Sequence, residues 1–135
     1  MRAEVVFIGH IETPYKTVEE CPRNIDPNGP PCRLIVESPY EKGLMGLEAG
    51  RKILVLYWLE DADRNRLLQN PPHIGKLKGT FALRSPHRPN PIGAAVVEIE
   101  AVSGNAIDVR GLDCVDGTPL LDIKPAISGE EERQA

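Results

Sequence analysis

The chain has 135 residues, 27% of them charged, and a formal net charge of −4 at pH 7; it is most simply one domain, able to bury roughly two-thirds of its unfolded surface. Thirteen prolines and twelve glycines favour a turn-rich β architecture over a helical bundle. No apolar stretch nears the roughly 20 residues that span a bilayer, and the amino terminus has no signal-peptide pattern, so a cytoplasmic protein without membrane contact is expected.

Glu4 to Ile11 carries Val5, Val6, Phe7 and Ile8 and predicts a buried strand. Glu12 to Pro31 holds five prolines and an Asn28-Gly29 turn, too irregular for a core element and long enough to suggest a functional loop. Arg33 to Glu37 is a short strand, and Gly43 to Gly50 has room for one helical turn. Lys52 to Leu59 is the most hydrophobic run and predicts a central strand. Asp61 to Leu68 predicts a short helix with Asp61 as its N-cap. Lys78 to Leu83 is a strand entering a proline-rich loop. Ile92 to Val102 leaves that loop, with Val97, Ile99 and Ala101 alternating against Glu98 and Glu100. Ser103-Gly104-Asn105 turns the chain into Ala106 to Arg110. Asp116-Gly117 marks a further turn before a last strand at Leu120 to Lys124. Residues 1–127 read as one domain and Ser128 to Ala135 as a polar, frayed tail. Six or seven short strands with turns between them predict a mainly β fold, a small closed or nearly closed β-barrel outside the Rossmann class.

Charge is unevenly spread. Arg64 to Gly93 holds six cations and no acid, while the rest of the chain has ten cations against twenty acids. Such a segment points to a local anionic partner or, equally, to charges that folding intersperses. Cys21, Cys32 and Cys114 form no C-x-x-C pair, which argues against structural zinc and for reduced thiols. His10, His73 and His87 lack ligand spacing, so no metal is expected; His10 reads as a core or edge histidine and His73 as a loop residue. Neither a Rossmann fingerprint nor a phosphate-binding glycine-lysine loop is present.

The most informative segment is Arg84-Ser85-Pro86-His87-Arg88-Pro89-Asn90-Pro91-Ile92-Gly93. Each proline fixes its own φ and removes a backbone donor, and each residue before a proline is pushed toward extended geometry. Ser85, Arg88 and Asn90 are therefore all restricted, and the segment is neither helix nor central strand. It reads as a stiff loop that aims Arg84 and Arg88, with little ordering entropy left to lose when an anionic or polar group docks. With Gly79-Thr80-Phe81-Ala82-Leu83 before it, the run closely resembles the signature of the TsaA-like, or TrmO-like, family, G-x-F-A-x-R-S-x-x-R-P-N-P-I-G. A pattern that long at fixed spacing is far more specific than a lone glycine motif.

The resemblance implies an S-adenosylmethionine-dependent tRNA methyltransferase that holds its cofactor on a β-barrel. It implies cofactor contacts from Pro22, Arg23 and Asn24 in the first long loop, from Trp58 and Leu59, from Arg84 and Ala94, and from Asp116, Gly117, Thr118 and Pro119. The ending Leu121-Asp122-Ile123-Lys124-Pro125 would then close the site. Physically, the turn at Asp116 offers exposed backbone N–H groups, and Gly117 allows close approach of a ligand. A guanidinium suits a carboxylate but repels a sulfonium, which puts Arg23 and Arg84 on the carboxylate or tRNA side. Trp58 is open between stacking on adenine and an ordinary core role. The implied acceptor is N6 of threonylcarbamoyladenosine beside the anticodon of a tRNA. Arg64, Arg66, Lys76, Lys78 and Arg88 would grip RNA phosphates, and His87 is the candidate for taking the proton the nucleophile loses. A homodimer is also implied. The chain departs from the family in carrying Tyr57-Trp58 where many members have an aromatic-His pair, and Ala126-Ile127-Ser128-Gly129 where they continue with Tyr. Residues alone leave two rivals: a non-catalytic RNA- or anion-binding barrel, and a small-molecule-binding interaction module.

Overall fold

Lys52–Trp58 buries Ile53, Val55 and Tyr57 and leaves the residues between them more exposed, the period of a strand with one face on a core. The same alternation sets the other long strands of the computed structural model, which describes residues 1–127. In chain order these are β1 (Gly9–Glu12), β2 (Pro31–Val36), β3 (Lys52–Trp58), β4 (Leu68–Gln69), β5 (Lys78–Gly79), β6 (Ile92–Glu98), β7 (Ala101–Ser103), β8 (Ala106–Arg110) and β9 (Thr118–Pro125). Seven of them pair antiparallel in the order β6-β3-β9-β1-β2-β8-β7, while β4 and β5 form a separate two-stranded ribbon. Ile11, Leu34, Ile53, Val55, Ile107, Val109, Leu112 and Leu120 are fully buried and form the centre of the core.

The mainly β, non-Rossmann fold matches the expectation from sequence, but the sheet is curled and no ladder closes it into a barrel. Its two edge strands are consecutive in the chain. The Ile99 N–H bonds the Arg51 carbonyl at 2.8 Å, and one residue later the Glu100 N–H bonds the Asp108 carbonyl at 2.8 Å. One bent strand thus runs with β3 first and β8 afterwards, which brings the edges together over the core.

Four expected elements shift. The first strand begins at Gly9, with Ile8 tied in by bonds to Leu120 and Glu37; Val5 and Val6 stay 59% exposed. The neighbouring β2 leaves the ladder after Val36 for a 3-10 turn at Ser38–Leu44, so residues before Ile8 have no strand to pair with there. That turn also replaces the one expected at Gly43 to Gly50. Lys78 to Leu83 is strand only at Lys78–Gly79 and continues as a 3-10 turn at Thr80–Ala82, whereas Lys52–Trp58 is an interior strand as expected. Asp61 to Leu68 forms turns, not a helix. There the Asp63 carboxylate accepts from the Asn65 N–H at 2.9 Å, a local bond that competes with a helical turn. The tail from Ser128 onward lies outside the described residues.

Gly93 faces Tyr57 across the β3–β6 ladder, and a Cβ there would clash with Cε2, Cδ2 and Cζ of the Tyr57 ring. Gly93→Ala is expected to destabilise the fold by about 1–3 kcal/mol, the range for overpacked sites. A thermal unfolding midpoint equal to that of wild type would show that the ring swings clear.

Candidate functional site

The proline loop between Leu83 and Ile92 is braced mainly by main-chain acceptors. Arg88 Nη1 donates to the carbonyls of Leu83 at 3.0 Å and Ser85 at 2.9 Å. Arg64 reaches over from the segment after β3, donating through Nε to the Pro89 carbonyl at 2.7 Å. Its guanidinium lies 5.3 Å from the Trp58 ring centroid, a cation–π contact. His87 Nδ1 accepts from the Asp63 N–H at 3.0 Å, which leaves Nε2 to carry the proton of a neutral ring. Arg64, Arg88 and His87 are therefore part of the loop's own scaffold.

Behind the loop, Tyr57 at the end of β3 is 3% exposed and donates its hydroxyl to Asp113 Oδ1 at 2.8 Å. Burial pushes the Tyr57 hydroxyl well up, and the Asp113 charge adds to it. Burial also raises the Asp113 carboxyl, against a smaller lowering by the Tyr57 hydrogen bond. Arg84 lies close enough to Tyr57 to oppose that rise, and its Nη2 donates to the Ala94 carbonyl at 3.4 Å.

Two depressions meet at Pro86. One, with a volume of about 230 Å³, is lined by Trp58, Leu59, His87, Asp113 and the turn from Asp116 to Pro119, with Cys21 at its side. The other, about 840 Å³, is lined by Arg23, Asn24, Arg66, His73, Arg84 and Ser85, among others, and by no carboxylate. The residues expected at a cofactor thus divide: Trp58, Leu59 and Asp116 to Pro119 on one side, Arg23, Asn24 and Arg84 on the other. Pro22 joins the two sides, since Cys21 lines the first and Arg23 the second. Ala94 contributes its carbonyl as the anchor of Arg84. Lys76 and Lys78 line neither depression. Of the six cations between Arg64 and Gly93, Arg66 alone has a carboxylate in ion-pair range among the described residues, Asp63 at 3.5 Å. Among the described residues, folding does not neutralise this segment.

Two expectations about the last turn are corrected. The N–H groups of Asp116, Gly117 and Thr118 are not free; they bond the carbonyls of Tyr15, Ile11 and Val115. The turn packs on the chain leaving β1, so main-chain pairing uses these donors. Asp122 to Pro125 do not close this site either, because they line another cavity of about 560 Å³ toward the far end of β9. Asp122 and Lys124 pair with each other at 3.3 Å, half-exposed. His10 is half-exposed beside Glu12, and His73 lies in the loop before β5. The three cysteines are unpaired, and no metal-ligand cluster occurs among the described residues. No helix there is long and apolar enough to cross a membrane.

Sequence reading missed Asp113 and the polar wall of the larger depression, Gln69 and Asn70. For Asp113 a signal existed: it is an acid inside the apolar run Gly111-Leu112-Asp113-Cys114-Val115.

A curled antiparallel sheet with an apolar, acid-floored cavity beside an acid-free basic one defines a β-sheet ligand-binding protein outside the Rossmann class. Residues 10–130 match the tRNA-methyltransferase O N-terminal domain, and the chain belongs to that family. It is 49% identical over 123 residues to a probable S-adenosyl-L-methionine-binding protein, VirR, of Rhizobium radiobacter, covering 91% of this chain and 70% of that one. A mouse tRNA (adenine(37)-N6)-methyltransferase is 40% identical over 97 residues, 70% of this chain and 22% of that protein. A crystal structure of TrmO superimposes with a TM-score of 0.80 at 28% identity, covering 98% of this chain. The chain spans 63% of that TrmO.

Asp116 clasps the site's two long loops. Its carboxylate takes Lys16 Nζ at 3.0 Å and the Thr13 N–H at 3.0 Å, and these bonds hold it below the usual carboxylate range. A depressed folded-state value means that the stabilisation is present above the unfolded value of about 3.9 and is lost as pH falls through the folded one. Asp116→Asn is expected to lower the urea midpoint modestly at pH 7 and to converge with wild type in acid. A gap that persists in acid would assign the effect to something other than this charge.

Proposed function

We propose that the chain binds S-adenosylmethionine and methylates N6 of an adenine beside a tRNA anticodon, with threonylcarbamoyladenosine as the acceptor. The observation that carries this reading is the meeting of the two depressions at Pro86, one apolar with an acidic floor and one basic without acid. The residues fit the cofactor's three parts. Trp58, Leu59 and Pro119 offer apolar walls to a purine, Asp113 offers negative charge to a sulfonium, and Arg84 and Arg23 offer forks to a carboxylate. When bound, the cofactor supplies an electrophilic methyl group.

The chain's own residues then position and exclude. Well-oriented transfer gains roughly 7–11 kcal/mol from alignment alone, and the braced proline loop supplies a fixed wall for it. Arg23, Arg66 and Arg84 draw the anionic strand into the larger depression, where an unstacked anticodon-loop base is presented across Pro86. Lys76 and Lys78 extend the grip outside the depression, and Arg64 and Arg88 add charge while holding the loop. His87 lines the first depression, and it takes the proton that the acceptor nitrogen loses only when Nδ1 gives up the Asp63 N–H, since Nε2 already carries the proton of the neutral ring. The ribbon around β4 and β5 leaves Leu67, Leu68, Leu77 and Phe81 between 60% and 79% exposed, a surface that supports a homodimer. A tRNA substrate gives the protein a cytoplasmic place of work. The names carried by VirR and by the mouse methyltransferase support the same reading.

Calorimetric titration of S-adenosylmethionine is expected to show one site per chain, weakened about tenfold or more in Arg84→Ala. Methyl transfer is expected with tRNA bearing threonylcarbamoyladenosine and not with tRNA lacking it. Salt-dependent tRNA binding with no response to S-adenosylmethionine would favour a non-catalytic RNA-binding protein instead.

For tRNA affinity, Arg23→Ala and Arg66→Ala are each expected to reduce the slope of log K against log salt by about 0.7, the value for one contact to a single-stranded loop. Unchanged slopes would place the RNA elsewhere on the surface.

A further inference from the structure

We infer that Asp113, held by the Tyr57 hydroxyl in the smaller depression, is the counter-charge that lets the protein tell the sulfonium of S-adenosylmethionine from the neutral thioether of S-adenosylhomocysteine. The inference rests on the cofactor reading above and assigns the discrimination to one side chain.

The smaller depression is lined by four carboxylates, and three of them are accounted for. Glu60 and Asp61 are exposed on its rim, where water screens them. Asp116 is neutralised by Lys16 and further bonded by the Thr13 N–H. Asp113 differs from all three. It is partly buried, its Oδ1 is held at 2.8 Å by a phenol that is itself 3% exposed, and no cation lies in ion-pair range of it among the described residues. A buried carboxylate without a cation costs folding free energy unless some other charge completes it. Its charge is felt by its surroundings: it helps to push up the thiol of Cys21, which lines the same cavity, as well as the adjacent Cys114 thiol and the Tyr57 hydroxyl.

The chemistry of the ligand fits that deficit. A sulfonium has three carbon substituents and no N–H or O–H, so no hydrogen-bond acceptor can recognise it by donation. It is recognised by charge in a site of low dielectric. Transfer of the methyl group leaves sulfur with its electron pair and no charge, so the attraction to Asp113 ends with the reaction. The same carboxylate therefore retains the donor and lets the product go. Tyr57 has a second effect: its hydrogen bond withdraws electron density from one carboxylate oxygen and so lowers the nucleophilicity of a group placed near an electrophilic methyl.

The test is calorimetric titration of S-adenosylmethionine and S-adenosylhomocysteine into wild type, Asp113→Asn and Tyr57→Phe. Wild type is expected to prefer the sulfonium. Asp113→Asn is expected to lose about tenfold or more in affinity for S-adenosylmethionine, with S-adenosylhomocysteine nearly unchanged, so that the preference collapses. Tyr57→Phe keeps the carboxylate and is expected to keep most of the preference. Thermal unfolding separates this from misfolding. Burial raises the Asp113 carboxyl, so folding opposes its ionisation and loses stability as pH rises from the unfolded value toward the folded one. Asp113→Asn is accordingly expected to be at least as stable as wild type at pH 7. Equal weakening of both ligands would mean that Asp113 reads a group they share, the ribose hydroxyls or the α-ammonium, and would overturn the inference while leaving the cofactor reading intact. Failure of wild type to bind either ligand would overturn both.

Discussion

The Tyr57 side chain is the contact on which the site depends. Its ring lies over Gly93 where β6 leaves the proline loop, and its hydroxyl holds Asp113 on the segment before β9. Arg84, at the loop's other end, lies near enough to feel the same phenol. Both ends of the proline loop and the segment before β9 are thus located relative to one buried aromatic ring. Only glycine at residue 93 allows the ring to sit there, so a small residue in the signature and a large one in β3 form a single requirement.

From that fixed point the electrostatics divide at Pro86. On one side, carboxylates line an apolar cavity; on the other, arginines line a larger depression that has no acid. Neighbouring regions of opposite sign suit a reaction whose donor is cationic and whose acceptor belongs to a polyanion. The curl of the sheet makes the arrangement possible. Its edge strands β6 and β7 are consecutive, so the bent strand that joins them carries the loop's exit back over the core.

Much of the sheet was legible because apolar runs and turn residues mark strands directly. Lys52 to Trp58, the most hydrophobic run, and Ala106 to Arg110, which follows the Ser103-Gly104-Asn105 turn, appeared at nearly their structural bounds for that reason. Val5 and Val6 misled because strand propensity says nothing about a partner, and β2 turns away beside them. Asp61 to Leu68 misled because Asp63 and His87 offer its backbone bonds that outcompete a short helix. The site was legible in its parts, not in its division. The motif pointed to Arg84 and to Asp116 through Pro119, but a linear pattern cannot show that Pro86 stands between them. Asp113 left one mark, an acid within an apolar run, but that it has no cation in ion-pair range among the described residues is a fact of space that sequence does not carry.

The way the arginines of the basic segment are held explains how one loop can be both rigid and attractive to anions. Arg88, Arg64 and Arg84 satisfy their donors on the carbonyls of Leu83, Ser85, Pro89 and Ala94. A carbonyl accepts a hydrogen bond as well as a carboxylate does in geometry but brings no net charge. Had the same arginines been braced by Asp or Glu, the loop would be as stiff and electrically silent. Bracing by main chain preserves the full positive charge while removing the side-chain disorder that a bound polyanion would otherwise have to quench. The prolines contribute to the same end, since each withholds an N–H that would compete with the arginines for those carbonyls. Stiffness and charge, usually traded against each other in ion-paired loops, are in this way supplied by separate atoms, main-chain carbonyls and side-chain guanidiniums.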